Sequence, residues 1–79
     1  IVQPDLRRMG GPTALLEIAA MAEAFRRPYA SHGSNAAHLS VMACAPTAIY
    51  AETGLIGPGS AMRLEDGCVL LPQGPGLSW

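Results

Sequence analysis

Residues 12–33 read PTALLEIAAMAEAFRRPYASHG and hold a helix, a stop signal and a strand in succession. Pro12 suits the first position of a helix. The residues that recur at helical spacing on one apolar face are Leu15, Ile18, Ala19, Ala22 and Phe25. Pro28 ends the helix, and the extended pair Tyr29–Ala30 leads to Ser31–Gly33. The pattern predicts an amphipathic helix over roughly residues 12 to 25, followed by a short strand.

An extended segment precedes this stretch. Ile1–Pro4 ends at Asp5, and a loop containing the Gly10–Gly11 pair connects Asp5 to the helix. The segment is predicted to be the first of three strands.

A second helix and a third strand follow the stretch. Asn35 is a suitable N-cap, and Pro46 closes the helix. Ala48–Ala51 then forms a short strand that ends at Glu52. Strand, helix, strand, helix, strand in units of about 20 to 27 residues is typical of parallel βα units. The predicted fold class is therefore α/β.

The C-terminal tail differs in composition. Glycine and proline dominate from Thr53 onward, and Glu65–Gly67 predicts a turn before the apolar run Cys68–Leu71. The tail is predicted to be a loop followed by a terminal strand or hairpin.

The chain carries few charges for a small body surrounded by water. Of its 79 residues, 14% are charged and 49% are apolar, whereas about 25% of residues in soluble domains are charged. The length allows one small domain, which buries only about 60–65% of its unfolded surface and should be comparatively polar. We interpret the excess apolar surface as covered by other polypeptide. A compact, alanine-rich small protein is the alternative.

The charge, the apolar runs and the cysteines of the chain argue against a nucleic-acid partner, a membrane span and a disulfide or metal site. The net charge is −1, and the basic doublets lack interleaved aromatic residues, so nucleic acid is not an expected partner. No apolar run reaches the roughly 18–20 residues that span a bilayer. Cys44 and Cys68 lack CxxC spacing and are predicted to be reduced, buried thiols, as in a cytoplasmic protein.

Three residues with chemically versatile side chains follow the predicted strands. Asp5, His32 and Glu52 each lie just past the C-terminal end of one strand. Right-handed crossovers bring these ends to one edge of a sheet, where catalytic residues gather. The sequence predicts that the three side chains share a pocket, with an oxygen of Asp5 about 2.6–3.2 Å from a ring nitrogen of His32.

Each of these residues also has a structural interpretation. Asp5 could cap the turn that follows it, His32 could be an ordinary loop histidine, and Glu52 could be a surface acid. His38 falls within the second helix and is predicted to be structural. Ser31 beside His32 does not indicate a hydrolase, because adjacent side chains of an extended segment point to opposite faces and no GxSxG elbow is present.

The order and spacing of these residues resemble a known family, the mandelate racemase-like members of the enolase superfamily, in their C-terminal stretch. The shared features are Asp5 with Gly10–Gly11, the pattern Leu-x-x-Ile-Ala-x-x-Ala-Glu-Ala over residues 15–24, Ser31–His32, His38–Leu39, residues 45–48 (Ala-Pro-Thr-Ala), Glu52, and the closing Leu-Pro-x-Gly-Pro-Gly-Leu at 71–77.

The resemblance implies the C-terminal portion of a modified (β/α)7β barrel of the TIM type. Residues 1–52 would supply strands six to eight with two helices, and residues 53–79 would return toward a separate capping domain. Asp5 and His32 would form the family's Asp-His dyad, and Glu52 would be the acid of the eighth strand. The family's metal-binding carboxylates and lysine base lie on earlier strands, so the resemblance places the ligands of Mg²⁺ outside this chain.

The function that the resemblance implies is Mg²⁺-dependent dehydration of an acid sugar. His32 would remove the proton α to the substrate carboxylate, giving an enediolate, and Glu52 would hydrogen-bond a carboxylate oxygen. The alternatives are a racemase or epimerase of the same superfamily, and a non-catalytic fragment that only completes a barrel. The expected partners are the remaining N-terminal part of the same enzyme and a small carboxylate substrate, in a homo-oligomer. The chain alone is expected to be inactive.

Overall fold

Short helices alternate with short strands along the part of the chain that the structure describes. The computed structural model describes residues 1–33, 35–53, 62–71 and 73–76. The elements are, in chain order, α1 (Leu6–Met9), α2 (Pro12–Ala24), β1 (Tyr29–Ala30), α3 (Ala36–Cys44), β2 (Ala48–Tyr50), β3 (Arg63–Glu65) and β4 (Cys68–Leu70).

Three extended segments lie side by side in parallel. Tyr29 of β1 lies opposite Ala48 of β2, and Val2 forms a parallel bridge to the other side of Tyr29. The Val2 N–H donates to the carbonyl of Pro28 at 2.8 Å, and the Val2 carbonyl accepts from Ala30 at 2.9 Å. β1 is therefore the middle segment, and the first predicted strand is reduced to a bridge. The predicted α/β class is confirmed, while closure into a barrel stays a prediction.

The two longer helices cover the middle strand. Ala19 and Ala22 of α2 form a buried cluster with Tyr29, and methyl side chains at these positions let the helix lie close to the strand. The predicted bounds of both helices are confirmed to within a residue. The side chain of Asn35 caps α3 by accepting the N–H of His38 at 2.9 Å.

Two local predictions are wrong. The segment before Gly10 is a four-residue helix, α1, because the Asp5 side chain caps it and Gly10 adopts the left-handed conformation that ends it. Phe25, predicted to face the core, is 72% exposed. Phe25 is the C-cap of α2, and the left-handed conformation of Arg26 turns the chain away directly after it.

Within the tail, β3 and β4 form the predicted hairpin, whereas the loop predicted from Thr53 onward lies almost wholly outside the described residues. β3 and β4 are antiparallel, with Glu65 opposite Cys68. Asp66 and Gly67 have φ angles of 49° and 77°, which two-residue hairpin turns require. Cys68 and Cys44 are free and exposed, so the prediction of buried thiols is wrong. Cys44 is the last residue of α3 and Cys68 is the first residue of β4, and neither belongs to the buried Tyr29 cluster.

Large apolar side chains remain exposed over much of the described surface. On β2, Ile49 is 48% and Tyr50 is 67% exposed, and within the described ranges β2 pairs with β1 alone. The other exposed large apolar residues are Ile1, Met9, Leu16, Met21, Phe25, Leu64 and Leu71. Among the described residues, none of the helices has the length and apolar character to cross a bilayer.

Candidate active site

The C-terminal ends of the three extended segments meet at one edge, and the three predicted site residues lie together there. His32 Nε2 is 3.6 Å from Asp5 Oδ2, and His32 Nδ1 is 3.3 Å from Glu52 Oε2. The imidazole is 56% exposed between the two carboxylates. The parallel register of the strands is what brings together residues that are far apart in sequence. Their catalytic role stays a prediction.

Asp5 uses its two carboxylate oxygens differently. Oδ1 accepts the backbone N–H groups of Arg7 at 2.8 Å and Arg8 at 3.3 Å, which caps α1. Oδ2 faces His32. The structural and the functional interpretations of Asp5 are therefore compatible.

The electrostatic surroundings favour the ionised form of Asp5. The Arg7 N–H contributes most to lowering the pKa of the Asp5 carboxyl below its usual 3.8, while desolvation opposes it. The Arg8 N–H and the charges of His32 and Arg8 lower the pKa further. Asp5 is therefore a carboxylate at neutral pH.

The contact between Asp5 and His32 is longer than we expected. The separation of 3.6 Å exceeds the predicted range of about 2.6–3.2 Å. The cap on α1 fixes the Asp5 carboxylate, and Glu52 lies closer to the opposite ring nitrogen. Because both nitrogens face a carboxylate, a substrate that reaches the ring must replace one of these two contacts.

Glu52 is held by donors that all reach the same oxygen. The Gly33 N–H donates to Oε2 at 2.8 Å and the Gln3 side-chain amide donates to it at 3.3 Å. The backbone N–H of Glu52 donates to Ser31 Oγ at 2.9 Å. Half of the side chain is exposed, so Glu52 is at once a surface acid and a fixed member of the cluster.

Sequence reasoning missed the supporting roles of Gln3 and Ser31. The Gln3 amide also donates to the Ser31 carbonyl at 2.9 Å. Ser31 is fully buried, and its hydroxyl accepts a backbone N–H rather than facing solvent as a nucleophile would. The sequence could have predicted that Gln3 lies beside the site. Residues i and i+2 of an extended segment share a face, and Gln3 precedes Asp5 by two residues.

His38 lies in α3, as predicted, and its side chain is fully buried. Its Nε2 shares a hydrogen bond of 3.0 Å with the Tyr29 hydroxyl, and Nδ1 has no hydrogen-bond partner among the described residues. Burial lowers the pKa of His38, against opposing contributions from the Asp5 charge and the His32 backbone. Burial also raises the pKa of Tyr29. The pair is therefore neutral at neutral pH.

The strand-end cluster does not fit Mg²⁺. Octahedral Mg²⁺ requires several converging oxygen ligands, but the imidazole of His32 lies between the two carboxylates and N–H groups already reach one oxygen of each. Within the described ranges, no group of three or more His, Cys, Asp or Glu residues could hold a metal ion. That Mg²⁺ has its ligands outside this chain stays a prediction.

An open cleft lies next to the exposed imidazole. Its volume is about 310 Å³, and its lining residues are Asp5, Arg7, His32, Gly33 and Asn35. The cleft gives a small polar molecule access to His32.

Parallel βα units that bring an acid, an imidazole and an acid to the C-terminal strand ends are typical of α/β enzymes, which place their active sites at that edge. The chain belongs to the enolase C-terminal domain-like family, whose sequence pattern matches residues 1–79. The resemblance to the enolase superfamily is thereby confirmed, and members of this superfamily are catalytic.

A relative of known activity belongs to a different enzyme class from the one that we expected for this chain. The chain is 33% identical over 78 residues to 3,6-anhydro-alpha-L-galactonate cycloisomerase of Streptomyces coelicolor, a match that covers 94% of this chain and 22% of that protein. The chain therefore spans about a fifth of the length of this relative. The relative is named as an isomerase, and the expected lyase class is not established.

Proposed function

We propose that this chain supplies the base of an enzyme that removes the proton α to the carboxylate of an acid sugar. The observation that carries the proposal is the position of His32, half exposed beside a cleft and flanked by Asp5 and Glu52. No other histidine of the chain has access to solvent, because His38 is buried. His32 is therefore the base, and Asp5 and Glu52 assist it.

The two carboxylates support the proton transfer. When an imidazole nitrogen of His32 takes the α-proton, the new positive charge lies between two carboxylates whose positions are already fixed by hydrogen bonds. Preorganised charges of this kind stabilise a transition state without reorganisation. One ring nitrogen keeps its carboxylate contact while the other meets the substrate.

We propose dehydration as the overall reaction. The α C–H bond breaks, its proton moves to His32, and the electron pair moves into the carboxylate group to give the enediolate. Collapse of the enediolate forms the double bond between the α and β carbons as the bond to the β-hydroxyl breaks. His32 returns the proton to the departing hydroxyl, which leaves as water, and the enol product tautomerises to a 2-keto-3-deoxy acid. The rest of the required charge stabilisation would come from groups outside this chain.

An isomerase is the second candidate, favoured by the cycloisomerase relative. A 3,6-anhydro sugar acid carries a ring oxygen on the carbon β to its carboxylate, so the same proton abstraction would break a ring C–O bond and release no water. A racemase or epimerase would instead need a second base on the opposite face of the substrate. The resemblance places the lysine that could be this base on an earlier strand, outside this chain.

The remaining part of the same enzyme is the partner that we propose for the exposed apolar surface. Ile49 and Tyr50 are exposed on β2, whose outer edge is free within the described ranges. An unpaired strand edge with apolar side chains favours pairing with further polypeptide. A homo-oligomer in the cytoplasm stays a prediction, as does the non-catalytic alternative in which the chain only completes a barrel.

Exchange of the substrate α-proton with heavy water, followed by NMR in the full-length protein, tests this proposal. Aldonates and 3,6-anhydroaldonates are the substrates to compare, because loss of water and ring opening give different products. His32→Asn should lower the exchange rate by about 10²–10⁴-fold, the usual contribution of a general base. Thermal unfolding of the variant is the control for folding. Undiminished exchange in His32→Asn would remove this residue from the mechanism.

A further inference from the structure

We infer that Gln3 is a positioning residue that selects which oxygen of Glu52 meets the substrate. The inference rests on the proposed function, in which Glu52 hydrogen-bonds a substrate carboxylate. Gln3 precedes the first predicted site residue, and its amide reaches the residues that follow both other extended segments, Ser31 after β1 and Glu52 after β2.

The Gln3 amide bridges two groups at once. Its Nε2 donates to the Ser31 carbonyl at 2.9 Å and to Glu52 Oε2 at 3.3 Å. A side-chain amide has two N–H donors, so both hydrogen bonds form together. The bridge ties the segment that carries Asp5 to the residues that follow β1 and β2.

The bridge completes the hydrogen bonding of Oε2. This oxygen accepts the Gly33 N–H at 2.8 Å as well as the Gln3 amide, and it also lies 3.3 Å from His32 Nδ1, so both lone pairs of the carboxylate oxygen are already engaged. A proton on Glu52, or a donor on the substrate, must therefore use Oε1. Gln3 thus helps to set which oxygen of the Glu52 carboxylate is left for the substrate.

The backbone of Glu52 is anchored separately. Its N–H donates to Ser31 Oγ at 2.9 Å, and Ser31 is fully buried. The backbone anchor does not depend on Gln3, so removing the Gln3 amide should loosen the carboxylate, which then keeps the Gly33 N–H as its remaining hydrogen-bond donor, without unfolding the strand end. A loss of rate with intact structure is the expected signature of a positioning residue.

Steady-state kinetics of α-proton exchange in the full-length protein tests the inference. Gln3→Met keeps the length of the side chain and removes its donors. We expect kcat to fall by about five- to tenfold and KM to change by less than about twofold, because the oriented acid binds the enediolate more strongly than the substrate. Gln73→Met is the matched control, since the Gln73 amide contacts the Leu71 carbonyl in the tail, and it should leave both constants unchanged.

A double-variant cycle shows whether Gln3 acts through Glu52. In a Glu52→Gln background, Gln3→Met should lower kcat by less than about twofold, because the carboxylate that Gln3 orients has already been replaced. A full additional loss in the double variant, or a rise in KM alone, would overturn the inference.

NMR of the Gln3 side-chain amide gives a reading that does not depend on activity. In the full-length protein, Glu52→Ala should accelerate exchange of these amide protons with solvent by about fivefold, since one hydrogen bond is lost. Amide protons that do not respond to Glu52→Ala would show that the bridge is absent. If His32→Asn retains exchange of the substrate proton, the proposed function fails, while this measurement still decides whether Gln3 holds Glu52.

Discussion

The two histidines of this chain lie close in sequence but in opposite surroundings. His38 is fully buried and shares a hydrogen bond with the Tyr29 hydroxyl. His32 is 56% exposed and faces a carboxylate at each ring nitrogen. Burial disfavours the charged form of the His38 imidazole. The same side chain is therefore part of the core in one place and accessible to a small molecule in the other.

The largest expected difference between substitutions of the two histidines is in the free energy of unfolding. His38→Ala should lower the free energy of unfolding by about 2–4 kcal/mol, because it leaves a cavity and an unpaired Tyr29 hydroxyl in the core. His32→Ala should change it by no more than about 0.5 kcal/mol, as is usual for an exposed side chain. Urea unfolding of the full-length variants measures both. Equal losses at the two positions would contradict the assignment of separate roles.

The two histidines should also differ, by a smaller amount, in how their contributions to the free energy of unfolding change at acid pH. Burial lowers the pKa of His38 below its ordinary 6.5, so the unfolded chain binds this proton at a higher pH than the folded chain does. The contribution of His38 to stability is therefore complete above about pH 6.5 and declines as the pH falls, by at most about 1.4 kcal/mol per pH unit.

Substitution of either histidine by glutamine tests this expectation. Urea titrations between about pH 7 and pH 5 should show a smaller loss of stability in His38→Gln than in the parent protein. His32→Gln is the matched control and should retain the His38 contribution. The comparison would fail if His38→Gln lost as much stability on acidification as the parent.

The smallest expected effect concerns the partner of each histidine. Tyr29→Phe removes the hydroxyl that reaches His38 and should cost about 1 kcal/mol, because a buried ring nitrogen loses its hydrogen bond. Glu52→Gln, at the exposed site, should change stability by less than about 0.5 kcal/mol. Thermal unfolding measures both variants. A larger loss for Glu52→Gln than for Tyr29→Phe would mean that the strand-end cluster, and not the Tyr29–His38 pair, holds the fold together.

Periodicity and stop residues predicted the helices well. Pro12 and the apolar spacing that follows it predicted α2, while Asn35 and Pro46 predicted α3, because caps and prolines act within one turn of the chain. The exposure of Phe25 and of the two cysteines was not predictable in this way. An apolar residue at the end of an element is buried only if the next segment turns toward it, and local spacing does not contain that information.

The sequence alone determined the α/β class, the order of the two longer helices and the extended segments between them, and the positions of Asp5, His32 and Glu52 at the ends of three extended segments, since all of these follow from short-range preferences and from the direction of the chain. Only the tertiary structure decided how far apart the three side chains lie, that Gln3 and Gly33 reach one oxygen of Glu52, and which histidine is buried. Those features depend on packing and hydrogen bonds between segments that are remote in sequence, and such contacts exist only once α2 and α3 have packed on the middle strand.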